Sequence, residues 1–223
     1  MKACMGRVLR VDLAARTCTE EALPEETYQR YLGGIGLAVS LLYNEIPAGA
    51  DALGPDNILC FASGLLTGTG SLMTGRWMVA CKSPLTGGWG DANCGGTLSP
   101  AIKQCGWDAI LFRGIASEPL IFVADDSGPR LEPASDLWGK DALQSEEALL
   151  ERFARKSGKR PAVAAIGPAA EKLSLISGIS NDRGRYAARS GVGAVMGSKR
   201  LKALVLMGTK SISCANPEAV RAL

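Results

Sequence analysis

Residues 75–96 read GRWMVACKSPLTGGWGDANCGG, and this stretch carries the strongest structural signal in the chain. The apolar run from Trp77 to Cys81 predicts a strand, and five glycines follow within ten residues, at positions 87, 88, 90, 95 and 96. Because a glycine inside a helix or strand costs roughly 0.5–1 kcal/mol, this density predicts a loop whose backbone lies close to a ligand. Arg76 stands at its start with a planar guanidinium suited to phosphate. An ordinary surface loop with turn glycines is the alternative interpretation.

A second segment repeats this pattern. Residues 95–114 align without gaps with residues 189–208, and each reads as a glycine loop, a short helix and an apolar strand closed by glycine. Upstream, the apolar run 57–61 corresponds to 162–166. The repeat predicts two similar halves related by a pseudo-two-fold axis, an internal duplication whose paired loops suit a two-lobed ligand with phosphates. Chance recurrence of a common strand–helix–strand unit is the alternative.

Periodicity along the chain predicts an α+β fold with mixed sheets and short helices. Helices are expected to begin at Pro24 and to span residues 37–44, 141–156 and 192–199. Strands are expected at residues 7–13, 18–22, 57–62, 77–82, 108–113, 120–124, 130–133, 162–166, 173–179 and 203–207. We assign residues 1–210 to one domain and residues 211–223 to the start of a linker to a following domain.

Composition is typical of a folded domain, since 47% of the 223 residues are hydrophobic and 21% are charged. No apolar run approaches the ~20 residues of a membrane span. The N-terminus also lacks the apolar core of a signal peptide. We therefore expect a cytoplasmic protein that does not associate with membranes.

Histidine is absent, which excludes Ser–His and Cys–His nucleophiles from this segment. The seven cysteines are at least eleven residues apart, so neither a disulfide framework nor an iron–sulfur site built by this segment alone is expected. Cys60 and Cys81 lie in apolar strands and are expected in the core. Cys94 lies in the glycine loop, as either a thiol near a ligand or a small loop residue. The organic chemistry of any reaction would have to come from a cofactor.

Charge is unevenly distributed: residues 1–150 have 11 Lys/Arg against 18 Asp/Glu, whereas residues 151–210 have 13 against 3. This asymmetry predicts an anionic ligand or an acidic partner near the second half. Arg183, Arg185 and Arg189 lie in the second glycine loop. A non-catalytic module that binds a polyanion is therefore one possible function. Nucleic acid is not expected, because Tyr186 is the one aromatic residue among these arginines.

Six motifs occur in order along the chain: GRVLRVDL (6–13), YLGGIGL (31–37), GR (75–76), CKSPLTG (81–87), NCGG (93–96) and GVGAVMGSK (191–199). Together they resemble the N-terminal domain of the tungsten-containing aldehyde ferredoxin oxidoreductases. The resemblance implies a domain of two pseudo-two-fold-related halves that forms the base for a tungsten or molybdenum bis-pterin cofactor. It also implies that a magnesium ion bridges the two pterin phosphates and is held partly by main-chain carbonyls.

Carried over by position, the resemblance implies ten cofactor-binding residues, five in each glycine loop. Main-chain carbonyls of Asn93 and Ala187 are the implied magnesium ligands, and no catalytic residue is implied in this segment. The ten residues are Arg76, Asn93, Cys94, Gly95 and Gly96 in the first loop, and Arg185, Tyr186, Ala187, Ala188 and Arg189 in the second.

Family members are considerably longer, and their later domains carry the cysteines of a [4Fe–4S] cluster. The resemblance therefore implies that residues 1–210 are the cofactor platform of an enzyme that oxidises aldehydes to carboxylic acids with ferredoxin as electron acceptor. Its partners would be the remaining domains, ferredoxin and, in a homo-oligomer, a second copy. The segment alone is expected to be inactive. Within the family, a reductase acting on an aromatic thioester of the benzoyl-CoA type is the alternative.

Overall fold

The computed structural model of the protein describes residues 2–157 and 160–222. Its first half contains six strands and three helices, which match the predicted positions apart from one additional strand, β5. These elements are β1 (Arg7–Asp12), β2 (Thr17–Ala22), α1 (Glu25–Tyr31), α2 (Ile35–Glu45), β3 (Leu59–Ser63), β4 (Trp77–Lys82), β5 (Trp89–Cys94), α3 (Leu98–Cys105) and β6 (Ala109–Arg113).

The second half also contains six strands and three helices, and a short helix, α7 (Pro217–Arg221), follows it. The elements of this half are β7 (Leu120–Asp125), β8 (Gly128–Pro133), α4 (Ala142–Ser157), β9 (Ala162–Ala165), α5 (Pro168–Glu171), β10 (Ile179–Asn181), β11 (Arg185–Ala187), α6 (Val192–Ser198) and β12 (Leu201–Leu206).

The two sheets have the same topology. Their strand orders are β2-β1-β6-β3-β4-β5 and β8-β7-β12-β9-β10-β11, so each strand has a counterpart six strands later. In both sheets the pair formed with the last strand of the half, β1–β6 and β7–β12, is parallel. Every other neighbouring pair is antiparallel. The predicted duplication is therefore confirmed: residues 95–114 and 189–208 each hold the helix and strand that close a half.

Helices α3 and α6 join the halves by reciprocal packing. Helix α3 contacts β3 and β6 of its own sheet and β9 and β12 of the other, whereas α6 contacts β12 and also β3, β4 and β5. The main core is continuous between the sheets. Within it, Phe112 lies edge-on to Phe61 at 5.9 Å and to Phe122 at 5.3 Å between ring centroids. Helices α2 and α4 pack with the apolar residues of the outer sheet faces.

The predicted strand at residues 173–179 is wrong. The chain instead turns after α5, where Ser174 N donates to Ala169 O and Ser177 N donates to Ser174 O, and β10 begins only at Ile179. The alternating Leu-Ser-Leu pattern favours a strand locally, but Leu173 adopts a φ of 60°, which interrupts extended backbone.

The two predicted glycine loops are also partly strand, because β5 passes through Gly90 and β11 covers residues 185–187. A Cβ atom at Gly90 would lie 2.7 Å from Ser83 Cβ and 3.0 Å from Ser190 Cβ. Glycine at this position thus permits close approach of the two halves within a strand. No helix in the described ranges is both long enough and apolar enough to cross a membrane.

Candidate functional site

A groove of about 600 Å³ lies near the place where β5 of the first sheet contacts β11 of the second. It brings together five of the ten residues that the sequence analysis assigned to the two glycine loops. Two segments nearly a hundred positions apart in the chain thus share one cavity wall, as the duplication predicted. The lining residues are Arg76, Asp91, Ala92, Asn93, Tyr186, Ala188, Arg189 and Ser190.

Two serines join the halves beside this groove. Ser83 Oγ donates to Ser190 O at 2.9 Å, and Ser190 Oγ donates to Asp91 O at 3.1 Å. The Asp91 carbonyl therefore points away from β4 and towards the second half. Because carbonyls two residues apart on a strand point the same way, the Asn93 carbonyl is turned to the same edge.

A second junction surrounds the glycines at the end of β5. Asn181 Nδ2 donates to Gly95 O at 3.1 Å, and Trp77 Nε1 donates to the same carbonyl at 3.3 Å. The Asp182 carboxylate accepts from Thr97 N at 2.6 Å and from Thr97 Oγ1 at 2.7 Å. Gly95 and its neighbour Gly96 thus lie where the β10–β11 turn meets the start of α3, which joins the two halves at a second place.

Arginine side chains give the groove an excess of positive charge. Arg76 Nε donates to Asn93 Oδ1 at 2.6 Å, and within the described part of the chain its Nη1 makes no hydrogen bond. Arg185 Nη1 lies 3.5 Å from the position of a Cβ atom at Gly95. Among residues 2–157 and 160–222, no carboxylate lies within ion-pair distance of Arg76, Arg185 or Arg189. Asp91 also lines the groove, but Arg76 and Arg189 outnumber it and Arg185 lies close by, so the site suits an anion.

Ala187 and Ala188 are placed differently. Ala188 lines the groove, whereas Ala187 is buried and pairs with Ile179 in the second sheet. A Cβ atom at Gly178 would lie 2.7 Å from the Ala187 carbonyl oxygen, so this carbonyl faces the turn before β10.

Asp91 and Ser190 line the groove but were missed in the sequence analysis. Asp91 stands two residues before Asn93, so recognition of β5 as a strand would have placed both side chains on the same face of the sheet. Ser190 aligns with Gly96, and it gives no comparable signal in the sequence. In the described ranges, no three His, Cys, Asp or Glu side chains gather into a metal site.

Cys94 is the last residue of β5 and is buried, with its Sγ donating to Asn181 Oδ1 at 3.2 Å. Burial raises the pKa of this thiol, and the positive charges of Arg76 and Arg185 offset the rise only in part. The thiol is therefore neutral at neutral pH, which fits a packed small residue rather than a thiolate ligand.

Native protein treated with iodoacetamide at pH 8 should therefore carry no modification at Cys94, because both burial and the raised pKa suppress the thiolate. Partly exposed Cys214 serves as the internal comparison. Peptide mass spectrometry reads both sites, and urea should make Cys94 reactive. Equal modification of the two cysteines in native protein would contradict the assignment.

Comparison with known proteins identifies the family. A family model described as the N-terminal domain of aldehyde ferredoxin oxidoreductase matches residues 8–208. The tungsten-containing aldehyde ferredoxin oxidoreductase of Pyrococcus abyssi is 41% identical over 211 residues, which cover 95% of this chain and 34% of that protein. The protein of the same name from Thermococcus kodakarensis is 40% identical over 213 residues, which cover 96% of this chain and 35% of that protein.

A solved structure has nearly the same backbone. It is the active site complex BamBC of benzoyl coenzyme A reductase in complex with 1,5-dienoyl-CoA, with a TM-score of 0.93 and 35% sequence identity. The match covers 97% of this chain and 33% of that chain, so our chain spans about a third of the relatives it resembles. The resemblance carried by the six motifs is confirmed: this chain belongs to the aldehyde ferredoxin oxidoreductase family and represents its N-terminal domain.

Proposed function

We propose that this domain is the base on which a tungsten or molybdenum bis-pterin cofactor lies in an enzyme that oxidises aldehydes to carboxylic acids. The groove carries the proposal, because the two halves meet there and three arginines around it have no carboxylate partner in the described ranges. A cofactor with two phosphate-bearing lobes has the symmetry of the two halves. Relatives named as tungsten-containing aldehyde ferredoxin oxidoreductases support the same assignment.

The residues present fit such a group. Arg76 keeps its Nη1 for a phosphate oxygen while Asn93 orients the rest of the guanidinium. Arg185 and Arg189 provide positive charge from the second half. Magnesium prefers oxygen ligands, and we propose the Asn93 carbonyl as one of them because it faces the groove edge. In the second half, we propose the Ala188 carbonyl as the magnesium ligand, because Ala188 lines the groove. The Ala187 carbonyl instead faces the turn before β10.

When bound, the metal–pterin would supply two-electron redox chemistry for the aldehyde, and we propose ferredoxin as the electron acceptor, with a [4Fe–4S] cluster in the remaining domains as the route to it. This chain's own residues bind and orient the cofactor. The three guanidinium groups neutralise its phosphates, and the two junctions fix the distance between the loops. We place this enzyme in the cytoplasm, where a second copy could form a homo-oligomer with it.

A reductase that acts on an aromatic thioester is the second candidate. The benzoyl coenzyme A reductase complex, with its TM-score of 0.93, favours it specifically. Both reactions would use the same platform, so the substrate depends on walls that lie outside this domain. A non-catalytic polyanion-binding module would use the same groove but would contain neither tungsten nor molybdenum when the longer protein is purified.

Arg76→Lys should weaken binding of magnesium pyrophosphate, a probe for two bridged phosphates, by about tenfold in calorimetric titrations. Lysine keeps the charge but loses the planar fork that Asn93 orients. The free energy of unfolding should change by less than about 0.5 kcal/mol. Arg30→Lys is the matched control, because Arg30 is exposed and outside the groove lining.

The same Arg76 variant in the full-length enzyme should retain less tungsten, measured by elemental analysis on a preparation of known thermal midpoint. Unchanged affinity for magnesium pyrophosphate in both Arg76→Lys and Arg76→Ala would show that Arg76 is an ordinary surface arginine that does not bind phosphate. Absence of both tungsten and molybdenum from a folded wild-type full-length enzyme would instead favour the polyanion-binding module.

A further inference from the structure

We propose that Glu146 is a positioning residue that holds the β10–β11 turn in a left-handed conformation and so places Arg185 beside Gly95 and Tyr186 in the groove wall. The identity of the ligand in the groove rests on the proposed function. The role of Glu146 in the turn follows from the geometry of the chain itself.

The turn has an unfavourable backbone. Asp182 and Arg183 adopt φ values of 46° and 56°, and Gly184 follows with 115°. Side chains other than glycine are uncommon at positive φ, and two in succession persist only where the surroundings impose them. A turn of this kind needs restraints from outside its own sequence.

Two carboxylates provide these restraints from opposite sides. The Asp182 carboxylate is held by Thr97 at the start of α3. On the other side, Glu146 of α4 accepts the Arg183 main-chain N–H with both oxygens, at 3.0 and 3.2 Å. Glu146 is only 2% exposed, and all its hydrogen bonds within the described ranges go to this one amide. Burial raises the pKa of Glu146, and the Arg183 amide and the positive charges of Arg160 and Arg183 oppose that rise, so the hydrogen bonds to the turn help to stabilise a buried carboxylate.

The restrained Arg183 amide lies two residues before Arg185 and three before Tyr186. Strand β11 has three residues and follows Gly184, with Arg185 beside Gly95 and Tyr186 in the groove wall. It pairs with β10 through three residue pairs. So short a strand has little order of its own, and the turn therefore determines where it lies.

Hydrogen exchange of the wild-type chain and its variants tests this role without any cofactor. Glu146→Ala should speed exchange of the amides at residues 183–187 by about tenfold, because the turn loses its restraint. It should also weaken magnesium pyrophosphate binding by about fivefold. Glu146→Gln keeps one acceptor oxygen and should show a smaller change in the same amides, which preserves the test if the alanine variant does not fold.

The decisive measurement is rescue by a second substitution. Glycine adopts positive φ freely, so Arg183→Gly in the Glu146→Ala or Glu146→Gln background should restore both slow exchange and affinity. A residue that merely fills space in α4 would not be rescued in this way. Glu147→Ala is the matched control, because the Glu147 side chain is 63% exposed and its ion pair within the described ranges is with the Arg183 side chain, at 3.9 Å. Exchange in this variant should stay at the wild-type rate.

Wild-type exchange at residues 183–187 in a folded Glu146→Ala protein would overturn the inference. Failure of Arg183→Gly to slow the exchange would overturn it as well. If the wild-type chain binds no magnesium pyrophosphate, the proposed function fails, and the exchange measurements still decide the role of Glu146.

Discussion

Replacing Glu171 by glutamine is expected to lower the free energy of unfolding by about 3–5 kcal/mol, because it leaves a buried ammonium without its counter-charge. The side chains of Lys202 and Glu171 are 0% and 5% exposed, and Lys202 Nζ lies 2.5 Å from Glu171 Oε1. Lys202 Nζ also donates to Lys140 O at 2.8 Å. Burial lowers the pKa of Lys202, and Glu171 opposes that shift. Urea denaturation at pH 7 measures the loss.

The double variant Lys202→Met/Glu171→Gln separates charge burial from packing. Glutamine retains an acceptor for Gly139 N, which donates to Glu171 Oε2 at 2.9 Å, while methionine fills much of the lysine volume. We expect the double variant to be more stable than either single variant, because no unpaired charge remains buried. A Glu171→Gln protein within about 1 kcal/mol of wild type would show that the pair is dispensable.

Lys202 shows which features of the fold the sequence predicts and which it does not. In the alignment of the two halves, Lys202 corresponds to Asp108, and both are buried before the last strand or within it. Asp108 accepts from Met5 N, Gly6 N and Tyr28 Oη, whereas Lys202 pairs with Glu171. The repeat in the sequence predicts the shared topology, because apolar spacing and glycines recur in both halves. It does not predict the partners, which come from remote and unrelated segments.

One error in the predicted elements comes from a tertiary contact and the other from local backbone geometry. Glycine density in residues 87–96 predicts a loop, yet residues 89–94 form strand β5. Within this strand, Gly90 permits the close approach of Ser83 and Ser190. Alternation at residues 173–179 predicts a strand, but the chain turns there because Leu173 has a φ of 60° and Ser174 N and Ser177 N bond to nearby carbonyls. The approach at Gly90 depends on how the two halves meet, whereas the φ of Leu173 is a local departure that the alternating pattern does not reveal.

The candidate site likewise contains residues that the sequence indicates and residues whose roles depend on tertiary contacts. Arg76, Asn93 and Arg189 line the groove. The sequence indicates Arg76 and Asn93 through the family motifs that contain them, and Arg189 through its place among the arginines of the second glycine loop. Cys94 and Gly96 lie at the junction between the halves, so their contacts are mostly structural. Some predicted residues face the groove and others hold the two loops together. The direction of each side chain decides between these roles, and the sequence does not show that direction.

Gly96→Ala is expected to lower the free energy of unfolding by about 2–4 kcal/mol, from backbone strain and overcrowding together. Gly96 has a φ of 109°, and a Cβ atom there would lie 2.1 Å from Asp182 Oδ2 and 2.5 Å from Asn181 Nδ2. Asp182 cannot move aside without losing its hydrogen bonds to Thr97, at 2.6 and 2.7 Å. The β10–β11 turn should shift, and affinity for magnesium pyrophosphate should fall by at least about tenfold.

Gly75→Ala is the matched control, since Gly75 adjoins Arg76 but has no positive φ, and a Cβ atom there would meet no other described atom within 4 Å. We expect it to change stability by less than about 0.5 kcal/mol and to leave affinity unchanged. Wild-type affinity in the Gly96→Ala protein would show that the groove does not depend on this junction. Neither alanine removes a charged group from the groove. If affinity for magnesium pyrophosphate falls in Gly96→Ala but not in Gly75→Ala, binding therefore requires the two halves to be held at a fixed separation.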